Sequence, residues 1–383
     1  MKNKLKIIFL IGFLFSFHSA LVSYVNSTFL ASFLGERNVG LVYTTASIAA
    51  ILALLLVPKL LKRIGGYKFL LATALLSALS LLFIATNKNA FSVIFVFIFY
   101  SALNSLIIFI LDEFLEIFSS NGIVGRERGL YLTIINSAWI IAQIFSGRIL
   151  SNTSFSFLYL IGFSLMFALF IIAFIFLRKI PDPNYKKVPA WGSIKRFFQN
   201  KKLSSAYKMN FLLQFFYAWM IIYTPIYLSA HLNFSWTEIG TIFTIMLVPF
   251  VLIQFPLGKY SDKFGERKML MLGFFIISLA TTSLFFVTKH SVYLWALMLF
   301  GTRIGAAIVE VMSDIYFFKH VDKEDDGFIS IYRNAGPVAY VLAPLIASSL
   351  FFLIPSFKFL FAVLGTMMLG GLYFASMIRK NDI

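Results

Sequence analysis

Cysteine is missing altogether from the 383 residues. That excludes disulfides, thiolate-bound iron–sulfur clusters and thiol nucleophiles. Histidine occurs only at positions 18, 231, 290 and 320, with no paired spacing suited to gripping a metal, and no nucleophile motif stands beside it. A membrane-embedded enzyme would therefore lack a visible catalytic set, and no cofactor is implied. Charge is scarce as well: Asp, Glu, Lys and Arg make up 13% of the chain, against 60% hydrophobic and 18% aromatic residues. So little polar material cannot clothe a globule in water.

What is present is apolar sequence in long runs. Twelve recur along the chain, among them residues 5–33, 91–115, 239–257, 292–315, 328–353 and 359–378. Most reach the roughly 20 residues needed to cross a bilayer core about 30 Å thick. The first is longer than the roughly 7–15-residue core of a secretory signal and reads as a retained span. The expected fold is an all-α integral membrane protein of twelve transmembrane helices.

A net charge of +17 invites a nucleic-acid reading, but its placement argues otherwise. With a cytoplasmic N-terminus and twelve crossings, the outside receives only Arg37, Lys88, Arg148, Lys289 and Lys358. Arg303 and Arg333 fall within apolar runs, and every other lysine and arginine falls in an inside segment. That asymmetry is the positive-inside rule, which predicts a multi-pass protein of the cytoplasmic membrane with both termini in the cytoplasm. The basic residues mark topology, and no basic patch with interleaved aromatics points to nucleic acid.

The chain also repeats itself. Residues 258–268, GKYSDKFGERK, form a glycine- and charge-rich loop between two apolar runs, and a blurred copy, PKLLKRIGGYK, occupies residues 58–68. Residues 129–136 (GLYLTIIN) align with 327–334 (GFISIYRN), and at that same offset Asp112 falls on Glu310 and Glu116 on Asp314. Carboxylates at i and i+4 thus share one face of the fourth and tenth runs. Gly40 and Thr44 match Gly240 and Thr244. Six spans per repeat is an even number, so two six-helix pseudo-symmetric bundles share orientation. The expected division is an N-terminal bundle over 1–178, a cytoplasmic linker over 179–206 and a C-terminal bundle over 207–383. In the linker, Trp191, Ile194, Phe197 and Phe198 share a helical face beside Lys195, Arg196, Lys201 and Lys202. That pattern suits a short helix on an anionic inner leaflet, or a solvated linker with incidental aromatics.

With these residues laid out, the chain resembles the major facilitator superfamily of secondary transporters over essentially its whole length. Gly258, Ser261, Asp262, Lys263, Gly265, Arg267 and Lys268 match that family's signature between helices eight and nine. The resemblance implies a gate in which Asp262 faces the N-terminal end of helix five and Arg267 pairs with Asp314 or Glu310. Lys62, Tyr67 and Pro58 depart from the pattern in the first copy, so an equivalent latch there would have to use Lys62 or Lys68 with Asp112 or Glu116. The proline–glycine motif of many family exporters is missing from helix five, where residues 136–143 read NSAWIIAQ.

Depth sorts the remaining polar residues. At about 1.5 Å per residue, Arg303 lies roughly 17 Å along its run and His18 roughly 18 Å along the first, both near mid-membrane. Asp112 and Asp314 lie about 33 Å from the outer ends of their runs, so the paired carboxylates fall toward the inner interface. Arg303 shares a face with Trp295, Glu310 and Asp314. An arginine at such depth faces a watery cavity or anchors a neighbouring helix. The resemblance implies that helices one, four, seven and ten line the substrate path, which adds Asn26, Asn104, Gln214 and Tyr217 to Arg303, His18 and Trp295 as substrate contacts. His18 titrates near neutrality when unperturbed, so protons are a candidate coupling ion; the alternative is a histidine simply hydrogen-bonded to a neighbouring helix. The reading is a monomeric transporter of a small organic solute by alternating access, with multidrug efflux as the alternative and a transporter-like receptor as a further class.

Overall fold

The structure is a computed structural model that describes residues 2–118, 124–178, 191–253, 257, 265–321 and 326–378. Every regular element among these residues is helical. The order is α1 (Lys2–Ser23), α2 (Asn26–Leu34), α3 (Glu36–Ile64), α4 (Gly66–Thr86), α5 (Ala90–Phe118), α6 (Val124–Asn152), α7 (Phe155–Phe176), α8 (Trp191–Gln199) and α9 (Lys201–Ile226). A single π turn (Tyr227–His231) precedes α10 (Trp236–Leu252), α11 (Glu266–Leu284), α12 (Val292–His320), α13 (Asp326–Arg333), α14 (Ala335–Leu350) and α15 (Phe359–Ser376). Ten helices among the described residues are long and apolar enough to cross a membrane, and α10 is a shorter apolar helix of 17 residues. The eleventh apolar run is divided between α13 and α14. All-helical architecture is what lipid demands, because each backbone N–H and C=O must find its partner inside the segment.

The chain divides into two compact units. One comprises Met1–Asn38, Val42–Lys187 and Ser235–Gly240, and the other Val39–Leu41, Val188–Phe234 and Thr241–Ile383. Within the first, α1 packs on α5, α6 and α7, while α4 packs on α5 and α7. Within the second, α9 packs on α12, α14 and α15, while α11 packs on α12 and α15. The two packing schemes correspond helix for helix, as the sequence repeat predicts.

The turn glycines show the same duplication. Gly65 caps α4 with φ 76° and ψ 156°, and Gly265 caps α11 with φ 75° and ψ 144°. Only glycine occupies that region without severe strain. Both are therefore demanded by the backbone at the start of the third span of their repeat.

Three apolar runs are broken inside their length. The first stops at Ser23 and resumes at Asn26, and the Val25 N–H turns back to the Val22 carbonyl at 3.0 Å. The buried Gln143 amide donates to the Ala20 carbonyl at 3.1 Å, just before that break. In α9, Pro225 removes a backbone donor, and the following turn widens so that the Leu232 N–H reaches the Tyr227 carbonyl at 3.2 Å. The third break separates α13 from α14 at Asn334.

In the second unit α11 and α12 cross closely. Gly301 and Gly305 are four residues apart on α12, and such small residues let two backbones approach. A Cβ at Gly305 would stand 2.6 Å from the Gly273 carbonyl oxygen of α11. The linker helix α8 differs from its sequence expectation in one respect. Phe197, placed there on a lipid-facing side, is fully buried and meets Phe328 at 5.5 Å and Tyr207 at 6.1 Å between ring centroids, while Phe198 is exposed. One aromatic thus anchors the helix to protein, and the exposed Lys195 and Arg196 flank the other.

Candidate functional site

The polar groups of the second unit collect along one face of α12. Arg303 lies between Gly301 and Gly305, and its side chain is 2% exposed. Its guanidinium carbon stands 5.2 Å from the ring centroid of Phe216 and 5.4 Å from that of Tyr217, both on α9. Those ring faces attract the cation, yet Nε and Nη1 are buried with no hydrogen-bond partner among the described residues. Two turns further along α12, Glu310 accepts a hydrogen bond from the Tyr217 hydroxyl at 3.1 Å. Tyr217 therefore serves both charged residues, its ring facing the arginine and its hydroxyl the carboxylate. Gln214, one turn earlier on α9, donates to Asn210 at 3.5 Å, the limit of hydrogen-bond reach.

One further turn along, Asp314 is engaged from α13. The Tyr332 hydroxyl donates to one carboxylate oxygen at 2.9 Å, and Arg333 Nη1 stands 3.8 Å from the other. Tyr332 is held in turn by stacking on Phe317, with centroids 4.0 Å apart and rings 7° from parallel, and by Asn210, which donates to its carbonyl at 3.3 Å. The expected partner of Asp314 or Glu310 was Arg267. That pairing is not among the ion pairs of the described residues, where an acid–base link between α11 and α12 joins the buried Glu266 to the half-exposed Lys319. Arg267 is half-buried and Lys268 exposed, both in the first turn of α11 behind the capping Gly265. Gly258 and Asp262 lie outside the described residues.

Trp295 shares the α12 face of Arg303 in sequence but not its surroundings. It is fully buried, donates its indole N–H to the Lys289 carbonyl at 3.3 Å, and packs on Tyr227 and Phe361 at 5.7 and 6.2 Å. Arg303, Tyr217 and Glu310 thus come together, and Trp295 stands apart from them.

The first unit arranges its polar residues differently. His18 is fully buried on α1, with Nε2 2.6 Å from the Tyr100 hydroxyl and Nδ1 3.2 Å from the Phe15 carbonyl. A carbonyl only accepts, so Nδ1 carries the proton and Nε2 accepts from the tyrosine. Asn104, one turn beyond Tyr100 on α5, accepts from Ser77 at 3.3 Å. Asn26, at the start of α2, accepts from Tyr159 at 2.8 Å. All three candidate contacts of this unit therefore have partners from their own bundle. Asp112 is exposed near the end of α5, and the Glu116 side chain lies outside the described residues.

Nothing here forms a metal centre: no group of three His, Asp or Glu residues among the described residues can hold an ion. Two of the remaining histidines sit beside backbone carbonyls, His290 at 2.9 Å from Leu232 and His320 at 2.7 Å from Tyr316. Sequence reasoning missed Phe216, Tyr332 and the Glu266–Lys319 pair. Glu266 and Lys319 were visible as charges at the ends of apolar runs, but no spacing rule joins residues on different helices.

Three solved structures similar to this one are of transporters or a transporter homologue. A mutant form of the nucleoside transporter NupG superposes with a TM-score of 0.80 at 12% identity, covering 98% of this chain and 100% of that one. A second NupG structure gives 0.77, also at 12% identity with 98% and 100% coverage. A bacterial homologue of the human lysosomal transporter Spinster, inward-facing and unoccupied, gives 0.72 at 12% identity, covering 98% of this chain and 95% of that one. No curated protein matches in sequence. The profile of the Major Facilitator Superfamily matches residues 8–229 and again 209–382. With duplicated bundles, a duplicated turn and that match over nearly the whole length, the chain belongs to the major facilitator superfamily, a multi-pass membrane protein with a transporter fold.

Proposed function

We propose that this protein carries a small organic solute across the cytoplasmic membrane by alternating access, with both termini on the cytoplasmic side. The observation that carries the reading is Arg303: a buried cation near mid-membrane, two of its nitrogens without a partner among the described residues, on a helix that the resemblance assigns to the substrate path. A structural arginine would be satisfied by carbonyls or an acid of its own bundle. This one meets two aromatic faces and retains donors for a guest. Tyr217 and Gln214 complete the contact set from α9, and the carboxylates Glu310 and Asp314 lie further along α12 toward the proposed cytoplasmic end, where a gate would close.

Turnover would then follow from the solute binding one state of the protein better than another, since a ligand shifts an equilibrium only by its differential affinity. Protons are the proposed coupling ion, with His18 as the ionisable group near mid-membrane. A nucleoside is the second reading, because two of the similar structures are of a nucleoside transporter. The test is uptake by the purified protein in liposomes, with and without an imposed pH gradient, over a panel of solutes of different charge. Accumulation above protein-free liposomes is the expected result. Absence of uptake for every class, with the protein folded and correctly inserted, would refute the proposal.

A further inference from the structure

Resting on the transporter reading, a closer look at the charges around Arg303 names the class of solute. Arg303 has a fixed positive charge at any physiological pH. Its Nε and Nη1 are enclosed without an acceptor among the described residues, and the Phe216 and Tyr217 rings offer π faces rather than lone pairs. Burying a charged donor without an acceptor is among the costliest arrangements in a protein. The carboxylates on the same helix face do not meet this need. Glu310 lies two turns away, about 10 Å of axial rise, and accepts from Tyr217; Asp314 is engaged by Tyr332 and Arg333. No acceptor for these two nitrogens comes from the described residues, which leaves them open to one that a solute brings.

The geometry points to a small organic monocarboxylate as the transported solute, its carboxylate oxygens accepting from Arg303. Charge-assisted bonds from a guanidinium to a carboxylate are short, directional and about twice as strong as neutral ones. Glu310 sets the second condition. A second anionic group on the far end of the solute would meet its carboxylate, so dicarboxylates and phosphate esters are disfavoured. An organic cation would meet Arg303 and be repelled. The uncharged body of the solute rests against Tyr217 and Phe250, both half-buried, whose ring centroids are 6.1 Å apart. Such walls accept an apolar or planar body and discriminate little among shapes.

The decisive comparison pairs each acid with its amide, which keeps size and shape and removes the charge. The full-length protein is purified, and its thermal unfolding is followed with benzoate against benzamide and butyrate against butyramide. Uptake of labelled benzoate, butyrate, succinate, uridine and tetraethylammonium is measured in liposomes above protein-free controls. Expected is stabilisation and uptake by at least one monocarboxylate, its amide needing at least tenfold higher concentration for the same shift. Arg303→Gln should abolish that tenfold preference and Arg303→Lys should retain part of it. Equal action of acid and amide, or transport of uridine, succinate or tetraethylammonium without a monocarboxylate, would overturn this inference and leave the transporter reading standing. Silence of the whole panel would overturn both. Should Arg303→Gln fail to fold, the acid–amide comparison on the unaltered protein still decides the matter.

Discussion

Replacing Gly305 by alanine tests whether the close crossing of α11 and α12 holds Arg303 in place. The added Cβ would stand 2.6 Å from the Gly273 carbonyl oxygen and 2.8 Å from both the backbone nitrogen and Cγ1 of Ile277. Ordinary contact begins at 3.4 Å, so the shortfall is about 0.6–0.8 Å. Two of the three atoms are backbone, and neither can turn aside; the helices themselves have to separate. A gap of about 0.5–1 Å forfeits roughly a quarter to a half of the attraction between each separated atom pair. Overpacking of this kind costs about 1–3 kcal/mol. For a bundle-sized unit that corresponds to a fall on the order of 2–12 °C in unfolding temperature. Gly301, one turn away on the same helix, is the internal control: its Cβ would meet only the Ala280 Cβ, at 3.6 Å. Thermal unfolding in detergent should rank Gly305→Ala well below the parent and Gly301→Ala close to it. Because Arg303 lies between the two glycines, solute affinity should fall in Gly305→Ala as well. Equal midpoints for the two variants would show that the crossing is looser than the geometry states, and the argument for a positioned Arg303 would lose its scaffold.

Arg303→Ala should weaken solute affinity by at least tenfold, the loss of one charge-assisted contact, while Arg333→Ala, an exposed residue 3.8 Å from Asp314, should change it little; equal small effects in a binding assay would make Arg303 scaffolding. Lys319→Ala should cost about 1–3 kcal/mol by leaving the buried Glu266 carboxylate without its cation, and Glu266→Gln should cost less, because no charge is then stranded; the reverse order in thermal unfolding would refute the pair's assigned role. Asp262→Asn should lower the transport rate while insertion and abundance stay near those of the parent, and unchanged rates in vesicles would remove the proposed latch.

Much of the architecture was legible in one dimension. Each apolar run found in the sequence carries helix, and the turn glycines Gly65 and Gly265, 200 positions apart, have nearly the same backbone conformation. The site was legible only in part. Arg303 stood out because a charge deep in a span is rare on energetic grounds. Trp295 was grouped with it by helical spacing, which gives the angle around α12 but not what lies opposite; Tyr227 and Phe361 enclose the indole. His18 and Asn26 were grouped as solute contacts by the helices they sit on, and spacing could not foresee that Tyr100 and Tyr159 reach them from other helices of the same bundle. Arg267 was paired with an acid on α12 by resemblance, while the neighbouring Glu266 makes the link from the opposite side of the charge pattern.

The division follows from the physics of the two problems. Hydrocarbon demands about 20 apolar residues per crossing with all backbone groups satisfied within the segment. Run lengths, repeat and charge asymmetry therefore determined that this chain is a helical, duplicated membrane protein. Which polar side chain is satisfied and which is left open depends on the rotation and spacing of neighbouring helices. Small residues such as Gly305 and bulky ones such as Phe216 decide that jointly, at positions far apart in sequence. Only the packed structure could show that Asp314 is engaged, that Glu310 is held by Tyr217, and that two nitrogens of Arg303 have no acceptor among the described residues.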